Sequence, residues 1–170
     1  ACDANPDASA VFITSPNYCG VLSDIQLLAD IAHDHGMLLI VDQAHGAHLK
    51  FFDYDAEKLR DGGAYVPHPR HAAESLGADI VINSTHKTLL SFTGSGILNV
   101  CSDSVDVDAL RSELRMVQTT SPSYLLMASL DINEKIMRSR GADIISSWKD
   151  YIARFYHQAA RISGLTLVRK

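Results

Sequence analysis

Met37-Leu38-Leu39-Ile40-Val41 is an unbroken apolar run with no polar residue alternating through it. Strands with one solvated face alternate, so a run of this kind fits a parallel strand covered on both faces. The residues ahead of it read as a helix. Ser23 and Gln26 have the spacing of a capping box, and Asp24 suits the positive N-terminal end. Ile25, Leu28, Ile31 and Ala32 form an apolar stripe, and Gly36 stands where a helix is terminated. Further strands are expected at Ala8–Thr14, Asp79–Asn83 and Gly96–Cys101, and a short helix at His71–Leu76. Residues 46–70 carry no clean period and contain Gly62, Gly63, Pro67 and Pro69, so a long surface loop with at most one helical turn is expected there. The alternation of strands and helices predicts an α/β fold with a mostly parallel sheet flanked by helices.

Beyond Ser102 the pattern turns helical. Val107–Val117 carries Leu110, Leu114 and Val117 on one face. A second helix is expected from Pro122, at its first turn, to about Arg138, with a break at Gly141. A third runs from Asp143 to about Ile162, with Ile144, Trp148, Tyr151, Ile152 and Phe155 at helical spacing. Leu165–Val168 reads as the start of another strand.

Composition narrows the function classes. The 170 residues contain 46% hydrophobic and 21% charged residues, the balance of a globular domain with its own core. A formal charge of −5 argues against nucleic acid or an anionic membrane as the main partner. No apolar run approaches transmembrane length, and no leader-like segment opens the chain. Cys2, Cys19 and Cys101 are few and scattered, which suits a reduced cytoplasmic protein, with Cys19 expected as a small buried apolar residue.

Ligands of parallel α/β sheets bind outside the carboxyl ends of the strands. Three clusters fall at such ends: Thr14-Ser15, Asp42 with His45, and Ser84 with His86 and Lys87. Singly, each has an ordinary explanation, as a solvated lysine, a turn aspartate or a hydrogen-bonded histidine. Together they supply an acid, an imidazole and an amine, the set required by a pyridoxal phosphate (PLP) enzyme. On that reading Lys87 forms a Schiff base to the cofactor aldehyde and Asp42 pairs with the pyridine nitrogen. His45 packs or hydrogen-bonds at the cofactor, and Ser84 and His86 donate to its phosphate. A zinc site built from Asp42, His45, His48 and His86 is the rival constellation, although it leaves Lys87 without a task. No G-x-S-x-G elbow and no Walker loop is present.

At these residues the chain resembles the large PLP domain of the bacterial ornithine/lysine/arginine decarboxylases, a branch of the aspartate aminotransferase-like fold type I. The resemblance is carried by Thr14-Ser15-Pro16-Asn17-Tyr18-Cys19-Gly20, Val41-Asp42-Gln43-Ala44-His45-Gly46-Ala47-His48, Gly77-Ala78-Asp79, Ser84-Thr85-His86-Lys87-Thr88-Leu89 and the long stretch Thr119–Asp131. It implies a PLP-dependent decarboxylase of lysine, arginine or ornithine, an enzyme of polyamine metabolism. By motif it implies Lys87, Asp42 and His45 as catalytic residues, with Ala44, Ser84 and His86 also at the cofactor. It further implies a homodimer or higher homo-oligomer, in which Thr120 and Ser121 serve the partner's phosphate.

The resemblance also implies Glu where this chain has Gln43, and Gln near Gly94. Residues 1–118 would then be the second half of the PLP-binding domain, and 119–170 a helical segment leading to an incomplete small domain. The earlier half, with another phosphate loop and the residue that stacks on the pyridine, would lie outside the chain. An internal piece of a longer decarboxylase, inactive alone, is therefore expected. The alternatives are an aminotransferase or other lyase of the same fold, and a non-catalytic truncated piece.

Overall fold

The computed structural model describes residues 1–58 and 70–166. Strands β1 (Ala10–Thr14), β2 (Leu38–Asp42), β3 (Ile80–Asn83) and β4 (Ile97–Val100) form one sheet in that order. β1 pairs with β2 in parallel, from Ala10 opposite Leu38 to Thr14 opposite Asp42. β2 pairs with β3 in parallel, with Asp42 opposite Ile82. β4 returns antiparallel, with Asn83 opposite Ile97. The three parallel strands thus end side by side at Thr14, Asp42 and Asn83.

The central run behaves as its apolarity predicts on one face. Leu39 and Val41 are fully buried beside Val81, and with Ile25, Ala29, Ala32, Met37, Ala73 and Ala78 they make the core. On the other face Leu38 and Ile40 are half-buried, so the covering is uneven. Phe12 on β1 and Ile97 on β4 are exposed at 62% and 43%, leaving apolar side chains uncovered on both outer strands.

Helix α1 (Ile25–Asp34) is capped by Asp24, whose side chain accepts from the Leu27 amide. Ser23 lies one residue ahead of that cap, and its amide donates to Ser15 Oγ just past β1. The deepest residues of α1 are Ile25, Ala29 and Ala32, while Ile31 is exposed: close approach to the sheet selects the small side chain. The helix ends in a Schellman arrangement, with the Gly36 amide donating to His33 O and the Met37 amide to Ala32 O.

Several expectations are corrected. Within the segment read as a loop, Leu49–Lys58 is a helix, α2. Tertiary contacts decide it: Leu49 is buried, and buried Asp53 accepts from the His71 and Ala72 amides. The glycines and prolines that suggested a loop fall on residues 59–69, outside the described residues. The helix expected at His71–Leu76 is a 3-10 turn, Ala73–Ser75: Asp53 takes the His71 and Ala72 amides and Ala72 is extended, so helical backbone starts only at Ala73. A single helical turn, α3 (Thr85–Thr88), follows β3 directly. Helix α4 (Val107–Val117) has the expected bounds, but Leu110 and Leu114 are only half-buried and Val117 is 82% exposed.

Helix α5 runs unbroken from Tyr124 to Ala159. Pro122 precedes it, and Ser123 Oγ accepts from the Leu126 amide as the cap. Gly141 does not break it. Ser129, Asn133, Met137, Gly141 and Ile145 are buried at every fourth position, so glycine sits on the buried stripe. Its intrinsic helix penalty of about 1 kcal/mol is too small to outweigh that burial. Leu165 and Thr166 are not in a strand, and 167–170 lie outside the described residues. The chain divides into two compact units, Ala1–Glu134 and Lys135–Lys170.

Candidate active site

The turn after β2 carries Asp42, Ala44 and His45. Asp42 Oδ1 accepts from the Ala44 amide at 3.0 Å, which fixes the carboxylate and leaves its second oxygen without a partner among the described residues. Ala44 is buried. His45 is half-buried, with the ring of exposed Tyr18 edge-on at 5.6 Å. The His45 Nδ1 atom is buried and has no hydrogen-bond partner among the described residues. His48 lies on the same turn against Phe52, and burial lowers its pKa below the usual imidazole value.

One strand over, Ser84 precedes α3, and its hydroxyl makes no capping bond. Lys87 is exposed and makes no ion pair among the described residues. His86 Nδ1–H donates to Ser95 O at 2.6 Å, leaving Nε2 for any further partner. With the Nδ1 proton engaged, Nε2 of a neutral ring can only accept, so His86 can donate to an anion only as an imidazolium. Thr88 Oγ1 is another buried atom with no hydrogen-bond partner among the described residues.

Residues to which the sequence assigned no role hold this turn in place. Buried Thr85, Ser91 and Ser95 join their hydroxyls, with Ser91 Oγ donating to Thr85 Oγ1 at 2.7 Å and Ser95 Oγ within 2.6 Å of Ser91 Oγ. From α5, Asn133 Oδ1 accepts from the Leu90 amide and Ser129 Oγ from the Phe92 amide. The signal for Ser129 was its place in the Thr119–Asp131 stretch; Asn133 had none. Gly94 lies at φ +96°, a conformation that strains other residues, so glycine fits the backbone where the resemblance suggested Gln.

Thr120 and Ser121 are exposed between α4 and α5, and no hydrogen bond joins them to the Asp42 or Lys87 turns. Cys19 is exposed rather than buried, on the loop leaving β1. Among the described residues no group of three or more His, Cys, Asp or Glu side chains is placed to hold a metal ion. Among the described residues no helix is long and apolar enough to cross a membrane.

A mixed sheet of three parallel strands and one antiparallel strand, flanked by helices, with its polar turns at the parallel ends, is the α/β architecture of a PLP-dependent fold type I large domain. The chain belongs to the Orn/Lys/Arg decarboxylase family, whose major-domain sequence model matches residues 1–169. It is 33% identical over 170 residues to an arginine decarboxylase of Halalkalibacterium halodurans, covering 100% of this chain and 32% of that protein. It is 36% identical over 140 residues to an arginine decarboxylase of Bacillus subtilis, covering 82% of this chain and 26% of that protein. An arginine decarboxylase of Bacillus cereus is 34% identical over 145 residues, or 85% of this chain and 28% of its own length. The chain thus spans about a third or less of the curated relatives it matches.

Proposed function

We propose that this chain carries the lysine and acid of a PLP-dependent decarboxylase that converts a basic amino acid to its amine and CO2. Lysine, arginine and ornithine are the candidate substrates, and the names of the relatives favour arginine. The supporting observation is that two adjacent parallel strands end in complementary turns whose key groups have no partner among the described residues: one oxygen of Asp42, the Lys87 amine and His45 Nδ1. This donor set fits pyridoxal phosphate, which needs an amine for its aldehyde, a carboxylate for its ring nitrogen and donors for its phosphate.

Asp42 would hold a proton on the ring nitrogen through its unpaired oxygen, kept in place by the Ala44 amide. Lys87 Nζ would take the aldehyde. His45, braced by Tyr18, would lie against the ring. Ser84 Oγ and protonated His86 Nε2 would donate to the phosphate, the latter aimed by its bond to Ser95 O. When bound, the cofactor supplies an electron-poor ring that accepts the electron pair released as the Cα–carboxylate bond breaks.

Thr120 and Ser121 would serve a second subunit of a cytoplasmic homodimer, consistent with their exposure. The 170 residues alone would bind cofactor without turning over, since Lys87 is left exposed. The test is to mix the chain with pyridoxal phosphate, follow the visible absorbance of lysine-bound cofactor, reduce with borohydride and map the label. Label confined to Lys87, and lost in Lys87→Ala, supports the reading. No absorbance, or label scattered over surface lysines, overturns cofactor binding by this chain. In a complete enzyme, amine and CO2 as products rather than a keto acid would separate decarboxylation from transamination.

A further inference from the structure

Under the two turns lies a buried polar group that the proposed chemistry does not use. Gln43 is 1% exposed and Asn83 6%. Gln43 Nε2 donates to Glu74 Oε2 at 2.9 Å and to Asn83 Oδ1 at 3.0 Å, while its Oε1 accepts from the Ala73 amide at 2.8 Å. Asn83 Nδ2 donates to Glu74 Oε1 at 2.7 Å, and Asn99 Nδ2 to the same oxygen at 3.3 Å. The main chain completes the tie: Gln43 N donates to Ile82 O, and Gly46 N to Gln43 O, each at 2.8 Å. Gln43 therefore closes the turn that bears Asp42 and His45. Asn83 directly precedes the turn that bears Ser84 and Lys87.

The polarity of every contact is fixed. The Ala73 amide can only donate, so the atom of residue 43 that faces it must accept. Ionised Glu74 can only accept, so the other atom of residue 43 must donate. A side-chain amide satisfies both demands and a carboxylate does not. Isosteric Glu at 43 would turn a second carboxylate oxygen onto Glu74 at the 2.9 Å now spanned by the amide. Two carboxylates that close do not both ionise, so they would share a proton.

We infer that Gln43 and Glu74 are positioning residues: an amide–carboxylate pair, bridged by Asn83, that locks the Asp42–His45 turn and the Ser84–Lys87 turn into one fixed arrangement. What the two turns do rests on the proposed function. The pairing itself is a property of the cofactor-free chain and is tested there.

Four proteins are compared from pH 5 to pH 8: wild type, Gln43→Glu, Glu74→Gln and the exchanged pair Q43E/E74Q. Other titratable groups near Glu74 are Lys50 on α2, whose Nζ donates to Ser75 Oγ, and the Cys101 thiol after β4. Burial, and then the charge of Glu74, push that thiol above its usual 9.0, so it stays protonated throughout. In Q43E the shared proton raises the folded-state pKa of the pair. Stability relative to wild type is then retained at the acid end and lost as pH rises through that value.

Amide protection at Gly46 and Lys87 should fall together by roughly ten-fold or more at pH 8 in Q43E, in keeping with an unsatisfied buried group. Leu38, whose amide donates to Ser9 at the far end of β2, should keep its protection. The exchanged pair again sets one amide against one carboxylate, with the amide at position 74 donating to the carboxylate at position 43, but it leaves one oxygen-to-oxygen contact at Asn83. It should recover the wild-type pH profile and only part of the protection, even if a single variant fails to fold. A Q43E profile parallel to wild type, or an exchanged pair that keeps the pH profile of Q43E, overturns the inference. Lys87 labelling read on the same four proteins separates the two ideas: no label in wild type counts against the cofactor, while the protection data still decide the pairing.

Discussion

Asp79 stands just ahead of β3 at only 1% exposure and ties three parts of the fold together. Its Oδ2 accepts from the Leu39 amide of β2 at 2.7 Å and from His33 Nε2–H of α1 at 2.9 Å, and its Oδ1 accepts from Ser102 Oγ beyond β4. Asp79→Ala strands the Leu39 amide in a fully buried strand, which costs about 1–3 kcal/mol. Half-exposed His33 and Ser102 can turn to water, so each of their lost bonds adds no more than about 1 kcal/mol. The expected total is about 3 kcal/mol. Asp79→Asn keeps one acceptor for Leu39 and should cost about 1–2 kcal/mol.

The pH dependence has a definite sign. Burial pushes the Asp79 carboxyl upward, but the donors from Ser102, His33 and the Leu39 amide outweigh it and hold the pKa below the usual 3.8. A depressed folded-state value contributes stability above the unfolded pKa and loses it as pH falls through the folded one. Urea unfolding midpoints from pH 7 to pH 3, at constant denaturant slope, measure both effects. Asp79→Asn should flatten the acid limb. A loss below about 1 kcal/mol in Asp79→Ala at pH 7, or an acid limb unchanged in Asp79→Asn, would refute this account.

Three other outcomes follow from the contacts. Gly46→Ala would set a Cβ 2.7 Å from Gln43 Cγ and Pro16 Cδ and 2.8 Å from Leu49 Cδ1, and thermal denaturation should register about 1–3 kcal/mol of overpacking. Asn133→Ala releases the Leu90 amide beyond the lysine turn; protection there should drop while global stability falls by about 1–2 kcal/mol, and unchanged exchange at Leu90 would count against α5 as the clamp. His35 donates from Nε2 to Asp3 and from Nδ1 to Ile31 O, the first raising its pKa most. Its contribution is present below the unfolded value of 6.5 and lost as pH rises through the higher folded one; an NMR titration midpoint at or below 6.5 would contradict the contact.

Local chemistry was read well where it acts locally. The Gly36 stop, the Val107–Val117 helix and the strands around Leu38–Asp42 and Ile80–Asn83 follow from period, caps and apolar runs. It failed where distant groups intervene. α2 and the 3-10 turn at Ala73–Ser75 depend on Asp53 capturing amides 18 residues and more away. Continuity of α5 through Gly141 depends on a buried stripe that propensity does not reveal.

The candidate site divides in the same way. By itself the sequence determined which groups stand at the strand ends, because an apolar run followed by Asp42-Gln43-Ala44-His45 or by Ser84-Thr85-His86-Lys87 leaves no other place for them. Only the tertiary structure decided that Glu74, Asn83, Ser95, Ser129 and Asn133 support those turns. It also decided which imidazole nitrogen of His86 is spent, and why an amide suits position 43. Those choices belong to buried polar groups, whose partners are fixed by the cost of leaving any donor or acceptor unpaired and not by spacing along the chain.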